Sequence, residues 1–178
     1  MKNHDPGGKR LLPLPIWVKG SAVFGGDNHQ YRYQLKRVWD STLPTLMFLM
    51  MNPSTADPNY DDPSVAKCGR YARDWGYGTL LVGNSFAYRA THKQQLTTIA
   101  DPVGPDNTKH LLTMATTADC IVFAYGRPDP SVRSLGVACA DAVRAAHPQK
   151  SHILKLCKDG TPSHPLYLKG NLKPIHWI

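Results

Sequence analysis

The chain has 178 residues, close to one domain at the usual scale of roughly 150 residues per domain and long enough to bury a core without staples. Hydrophobic residues are 42% and charged residues 19%, with 15 Pro and 14 Gly, which excludes collagen, coiled coil and low-complexity polymer and marks a loop-rich globular chain. The net charge of +8 favours a polyanionic partner, of which nucleic acid is the commonest.

Residues 1–20 read as a flexible leader, punctuated by Pro6, Gly7, Gly8, Pro13 and Pro15, and residues 21–178 as a single α/β domain. Ala22–Phe24, a turn at Gly25–Asn28 and Tyr31–Trp39 predict an antiparallel hairpin at a sheet edge. Within it Tyr31, Tyr33 and Trp39 alternate with Arg32, Lys36 and Arg37, a pattern suited either to a nucleic-acid face or to an edge protected by charge. Leu46–Met50 is a continuous apolar run, as in a strand buried on both faces. Asp62 followed by Pro63 forms a helix start, and Val65, Cys68, Ala72 and Trp75 share one helical face up to Gly76. Leu80–Val82 is the next buried strand. A helix over 105–117, a strand over 120–124, a helix capped by Asp129 and a short strand over 152–156 follow, with an irregular tail from Thr161. Strands alternating with helices predict a doubly wound, mainly parallel central sheet. In such folds functional groups sit on loops at the carboxyl ends of the strands, which selects 52–61, 84–91 and 126–129.

Cys68, Cys120, Cys139 and Cys157 contain no Cys-x-x-Cys pair and read as small apolar residues of a reducing cytosol. No apolar run is long enough to span a bilayer, and the start is polar, so a cytoplasmic protein without membrane association is expected. Phosphate-binding glycine motifs and a Gly-x-Ser-x-Gly elbow are absent from the sequence, and its eight histidines show no metal-binding spacing. No cofactor or metal is expected. These features alone describe a basic α/β protein with a polar cleft.

Met51-Asn52-Pro53-Ser54-Thr55-Ala56-Asp57, the stretch 84–91, Asp101–Pro105 and His164-Pro165-Leu166-Tyr167-Leu168-Lys169-Gly170 resemble an uncharacterised bacterial and phage family over most of residues 20–177. More remotely, three fragments resemble the uracil-DNA glycosylase superfamily: the strand-end Met50–Ser54, then Leu81–Asn84 with Tyr88–His92, then the late His164–Leu168. That resemblance implies a glycosylase-like fold, a DNA substrate whose base is flipped out, and a monomeric enzyme.

It also implies roles. His164 hydrogen-bonds the departing base, whose negative charge needs stabilising. Asn52 orients water, since an amide removes no proton at neutral pH; Asp57, with Asp61 and Asp62 as the other nearby carboxylates, assists. Plain turn chemistry for Asn52-Pro53 and a helix cap for Asp62 are the competing structural roles. Asn84 reads the pyrimidine edge, and Met51 and Ser85 line the substrate site. Ser54 stands where uracil-specific members carry Tyr, leaving room for a C5 substituent. Leu168 matches the wedge that fills the vacated stack, with Tyr167 beside it. Arg89, His92, Lys93, Lys169 and Lys173 hold phosphates; five such contacts correspond to a slope of about −4 to −5 in log K against log salt.

The sequence thus predicts a monofunctional DNA glycosylase that excises a C5-substituted pyrimidine, such as a glucosylated hydroxymethylcytosine, in repair or anti-phage defence. A hydrolase of free nucleosides and a non-catalytic binder of modified or damaged DNA are the alternatives.

Overall fold

A computed structural model describes residues 10–177. It is a mixed α/β structure with twelve regular elements: β1 (Leu12–Pro13), β2 (Lys19–Gly25), β3 (Tyr31–Val38), β4 (Thr45–Met50), β5 (Tyr60–Asp61), α1 (Pro63–Asp74), β6 (Thr79–Asn84), α2 (Asn107–Thr117), β7 (Cys120–Phe123), α3 (Arg133–Ala146), β8 (Ser151–Ile153) and β9 (Ile175–His176). Seven strands form the main sheet in the order β2-β3-β6-β4-β7-β8-β9, and β1 and β5 form a separate antiparallel pair. β6, β4, β7 and β8 run parallel, while β3 joins β6 and β9 joins β8 in antiparallel fashion.

Alternation along the central strands builds two cores. Leu46, Phe48 and Met50 of β4 pack with Val65, Cys68, Tyr71 and Ala72 of α1 on one face. Met47 and Leu49 meet Leu111 and Met114 of α2 and Cys139 and Val143 of α3 on the other. A strand covered by helices on both sides has no polar face, which is why β4 and β6 read as unbroken apolar runs. α1 starts as its sequence requires, with Asp62 Oδ1 accepting from the Ser64 and Val65 amides at 2.9 and 3.0 Å. Among the described residues no helix is long and apolar enough to cross a membrane.

The structure departs from the expected elements in four places. The expected leader, whose residues 1–9 lie outside the described residues, contains β1 and the start of β2, and the Leu14 amide donates to Asn59 O at 3.1 Å. The Arg73 guanidinium lies 5.6 and 5.4 Å from the ring centroids of Trp17 and Trp39, tying this stretch to the body through cation–π contact. β3 is an internal strand and only β2 of the hairpin is an edge, so Arg32 and Arg37 are buried and form no charged face. Asp129 holds a turn, accepting from the Ser131 amide and hydroxyl at 3.0 and 2.7 Å, and α3 begins at Arg133. The tail, expected to be irregular, supplies β9.

Candidate functional site

β4 continues through α1 to β6 on one side of it, and the chain then crosses to β7 on the other. The carboxyl ends of β4 and β7 therefore flank a topological switch point, where open α/β sheets leave a crevice. A cavity of about 590 Å³ opens there, within the range of roughly 300–1,000 Å³ typical of small-molecule sites. Met50, Met51, Asn52 and Ser54 line it from the end of β4, and Gly126 and Arg127 from the end of β7. Ala90, Thr91, His92, Lys93 and Gln94 close a second side; Cys157, His164, Leu166 and Tyr167 come from the tail, and Arg32, Asp62 and Ser64 complete the wall.

Backbone hydrogen bonds bring these loops together. The loop after β6 runs along the loop after β4, with Ser85 N, Phe86 N and Ala90 N donating to Met50 O, Met51 O and Pro53 O at 2.8–2.9 Å. Gly126 N donates to Pro162 O at 2.8 Å, drawing in the tail. Gly126 has φ +67°, so glycine serves the left-handed turn that places the chain beside His164.

α1 holds the same tail from beneath. Lys67 Nζ donates to Leu166 O and Leu168 O, Tyr71 Oη to Lys169 O, and Trp75 Nε1 to Leu172 O at 3.1 Å. Residues 67, 71 and 75 are four apart and so stack on one helical stripe; the stripe anchors the carbonyls that follow His164. Composition and spacing did not single out this device, because a Lys, a Tyr and a Trp on a helix carry no signal until the tail lies across them.

Asn52 Nδ2 donates to Ala90 O at 2.7 Å and Pro53 O at 3.1 Å. The amide is thereby fixed with its Oδ1 as the remaining acceptor of a residue that lines the cavity. His164 Nδ1 accepts from the Leu166 amide at 3.3 Å, so in the neutral ring the proton resides on Nε2. Ser54 is buried with its Oγ 3.5 Å from Thr91 Oγ1, a small side chain in the wall.

Arg32 is the residue that sequence reasoning missed. Its side chain is 1% exposed, and Nη1 and Nη2 donate to Ala56 O and Asn84 Oδ1, each at 3.0 Å. Burial lowers its pKa to about 10, opposed by the Asp62 carboxylate, so the guanidinium is still charged at neutral pH. A lone Arg between Tyr31 and Tyr33 was the available signal, but alternation assigned it to the surface.

Several expected site residues lie elsewhere. Asp57 Oδ1 caps its own turn, accepting from the Asn59 and Tyr60 amides at 2.8 and 2.9 Å, and Asp61 is paired with Arg37 at 2.9 Å. Of the three carboxylates considered, Asp62 alone lines the cavity. Asn84 and Ser85 are buried behind it, Asn84 reaching it only through Arg32. Arg89 is buried, donates to His29 O at 3.1 Å and lies 5.1 Å from the Phe24 ring centroid; it is not placed to hold phosphate. Leu168 packs against the core beside α1, whereas Tyr167 is 84% exposed at the cavity. Lys169 and Lys173 are exposed but outside the cavity wall, where His92, Lys93 and Arg127 stand instead. Cys157, grouped with the core cysteines by its sequence, borders the cavity, and a hydrogen bond with Ser163 holds its thiol below the usual range.

A family model described as a protein of unknown function (DUF1643) matches residues 32–166. The chain belongs to this family. The DUF1643 match begins at Arg32 and ends at Leu166, so it takes in the loops after β4, β6 and β7, Asn52 and His164. No curated protein and no solved structure matches the chain.

Proposed function

We propose that this DUF1643 protein is a monofunctional DNA N-glycosylase that excises a C5-substituted pyrimidine from a nucleotide flipped into the cavity. The observation that carries the reading is that Asn52, its Nδ2 held by Ala90 O so that Oδ1 is its acceptor atom, and His164, with its proton directed to Nε2, line one cavity at the switch point of the sheet. The motif resemblance to uracil-DNA glycosylases assigns the same two residues to water and to the base, and the placement of both agrees with those roles.

In this mechanism Asn52 Oδ1 holds a water against C1′ of the sugar. The C1′–N1 bond breaks with its electron pair leaving on the base, the water oxygen bonds to C1′, and a water proton neutralises the base anion. His164 Nε2–H donates to a ring carbonyl as charge builds there, an interaction stronger in the transition state than in the ground state. Ser54 leaves space beside the ring for a C5 group. Exposed Tyr167 takes the wedge role in place of Leu168, and His92, Lys93 and Arg127 provide the basic rim. Extruding the base costs a few kcal/mol, which contacts at this rim offset.

The test is release of free bases, followed by mass spectrometry, from DNA carrying C5-modified pyrimidines and from unmodified DNA. Release from modified DNA, lowered about 100-fold or more in Asn52→Ala and His164→Ala with DNA binding retained, is expected. Absence of release alongside tight binding of modified DNA assigns the chain to a non-catalytic reader. Salt-insensitive cleavage of free nucleosides alone assigns it to nucleoside hydrolysis.

A further inference from the structure

One charge in the cavity wall has the opposite sign from the others. Among the described residues that line the cavity, Asp62 is the one carboxylate, set against Arg32, Lys93 and Arg127. It is 5% exposed, and none of the ion pairs among the described residues includes it. Its two hydrogen bonds as the cap of α1, from the Ser64 and Val65 amides, both fall on Oδ1. Capping thus fixes the carboxylate with Oδ2 as its remaining acceptor. Ser54 and Ser64, from the same stretch of chain, line the cavity with it. An ionised carboxylate can only accept. An anion brought against it is repelled, and a methyl group strips it of water without giving a hydrogen bond in return. A hydroxyl fits, because it can donate to Asp62 while accepting from a serine beside it. The volume allows a large group: about 590 Å³ is the size of a site for a drug-sized ligand, more than one pyrimidine ring fills.

We propose that Asp62 and Ser64 form a subsite for a hydroxyl-bearing substituent at C5 of the pyrimidine. The inference rests on the glycosylase reading above and deepens it: Ser54 leaves room at C5, and Asp62 with Ser64 sets the chemistry that fills the room. Hydroxymethyl and larger groups built on hydroxyls, such as a sugar, match the subsite. Methyl offers no donor, and a carboxyl group brings a second negative charge. A site built to hydrogen-bond a substrate hydroxyl rejects the analogue that lacks it far more strongly than it rejects a change in size. The cap makes this discrimination rigid, because turning the carboxylate toward a poorer ligand would cost α1 its first-turn hydrogen bonds.

Two matched pairs of nucleosides are compared by calorimetry or chemical-shift titration on the full chain. They are 5-hydroxymethyl-2′-deoxycytidine against 5-methyl-2′-deoxycytidine, and 5-hydroxymethyl-2′-deoxyuridine against thymidine. Wild type is expected to bind the hydroxymethyl member of each pair at least about tenfold more tightly, the value of one hydrogen bond to a charged group. Asp62→Asn keeps the fold, since Asn caps a helix as well as Asp does. Its Oδ1 stays on the two amides, so an NH2 group replaces Oδ2 and a donor stands where the acceptor was. That variant is expected to lose the preference in both pairs, and Ser64→Ala to lower it about threefold. Equal binding within the pairs, a preference undiminished in either variant, or no binding of the hydroxymethyl nucleosides overturns the inference. So does a preference for both cytosine nucleosides over both uracil nucleosides that Asp62→Asn abolishes, which assigns Asp62 to the ring amino group instead. Base release from hydroxymethylated DNA that Asp62→Asn leaves unchanged overturns the subsite alone; the hydroxymethyl preference without base release from any modified DNA overturns the glycosylase reading alone.

Discussion

Arg32 and Arg37 stand five positions apart on the same strand, both almost fully buried at 1% and 2% exposure, yet their surroundings are opposite. Arg37 donates to Asp61 Oδ1, Lys36 O, Asp57 O and Tyr60 O at 2.6–3.0 Å. It is a clasp: a charge neutralised by a carboxylate and hydrogen-bonded at each of its three nitrogens, shaping the loop between β4 and α1. Among the described residues Arg32 makes two hydrogen bonds and no ion pair, and it borders the cavity. Burying a guanidinium is tolerable when its charge and donors are matched, and of the two it is Arg32 that keeps a buried nitrogen, Nε, without a partner.

The largest effect is expected at the clasp. Arg37→Met strands the mostly buried Asp61, whose pKa burial already raises against the pull of Arg37, and removes the side-chain donor to Asp57 O and Tyr60 O. Breaking a buried pair costs about 3–5 kcal/mol, roughly 10 °C in melting temperature for a chain of this size, measured by thermal unfolding. Arg32→Met inverts that pattern. Stability should move by less than about 1 kcal/mol, since relief of a buried charge offsets two lost hydrogen bonds, while base release falls about 100-fold, or ~2.7 kcal/mol in the barrier. A large loss of stability here would make Arg32 a second clasp and remove the contrast.

Smaller effects are expected where the tail is held. Lys67→Met removes the donor to Leu166 O and Leu168 O, loosening the segment behind His164. The cost to folding is about 1 kcal/mol, but misplacing His164 should lower base release about tenfold, read as a drop in kcat with the melting temperature shifted by only a few degrees. Asp159→Asn is the mildest. The Thr161 hydroxyl at 2.6 Å, then the Thr161 amide and Arg127 and Arg133, hold the Asp159 carboxyl down to about 2. A depressed folded-state value means that its contribution is present above the ordinary range near 3.8 and is lost as pH falls toward 2. An acid titration followed by circular dichroism should show wild type losing stability through that window and the variant losing less.

Much of the frame was readable because it follows from periodicity. Unbroken apolar runs marked β4, β6 and β7, and Asp62 before Pro63 marked the start of α1 at its observed place. The rule that sites lie at strand carboxyl ends, applied to that frame, reached Asn52, and the motif resemblance reached His164; the two line a common cavity. Asp57, Arg89 and Leu168 were misjudged for one reason. Each is near a motif in sequence, but whether a side chain faces the cavity depends on which local acceptor, ring or core surface it meets first. Asp57 finds its own amides, Arg89 finds Phe24 and His29 O, and Leu168 finds the core beside α1.

The residue order by itself determined the α/β class, the existence and order of the buried strands and the loops from which a site would be drawn, since these depend on local pattern and on short-range capping. Only the tertiary structure decided that β3 lies inside the sheet, that the tail crosses the α1 stripe to deliver His164, and that Arg32 keeps a nitrogen without a partner while each nitrogen of Arg37 has one. Those outcomes rest on contacts between segments 20 to 100 positions apart, where the identity of the partner, not of the residue, sets what a side chain does.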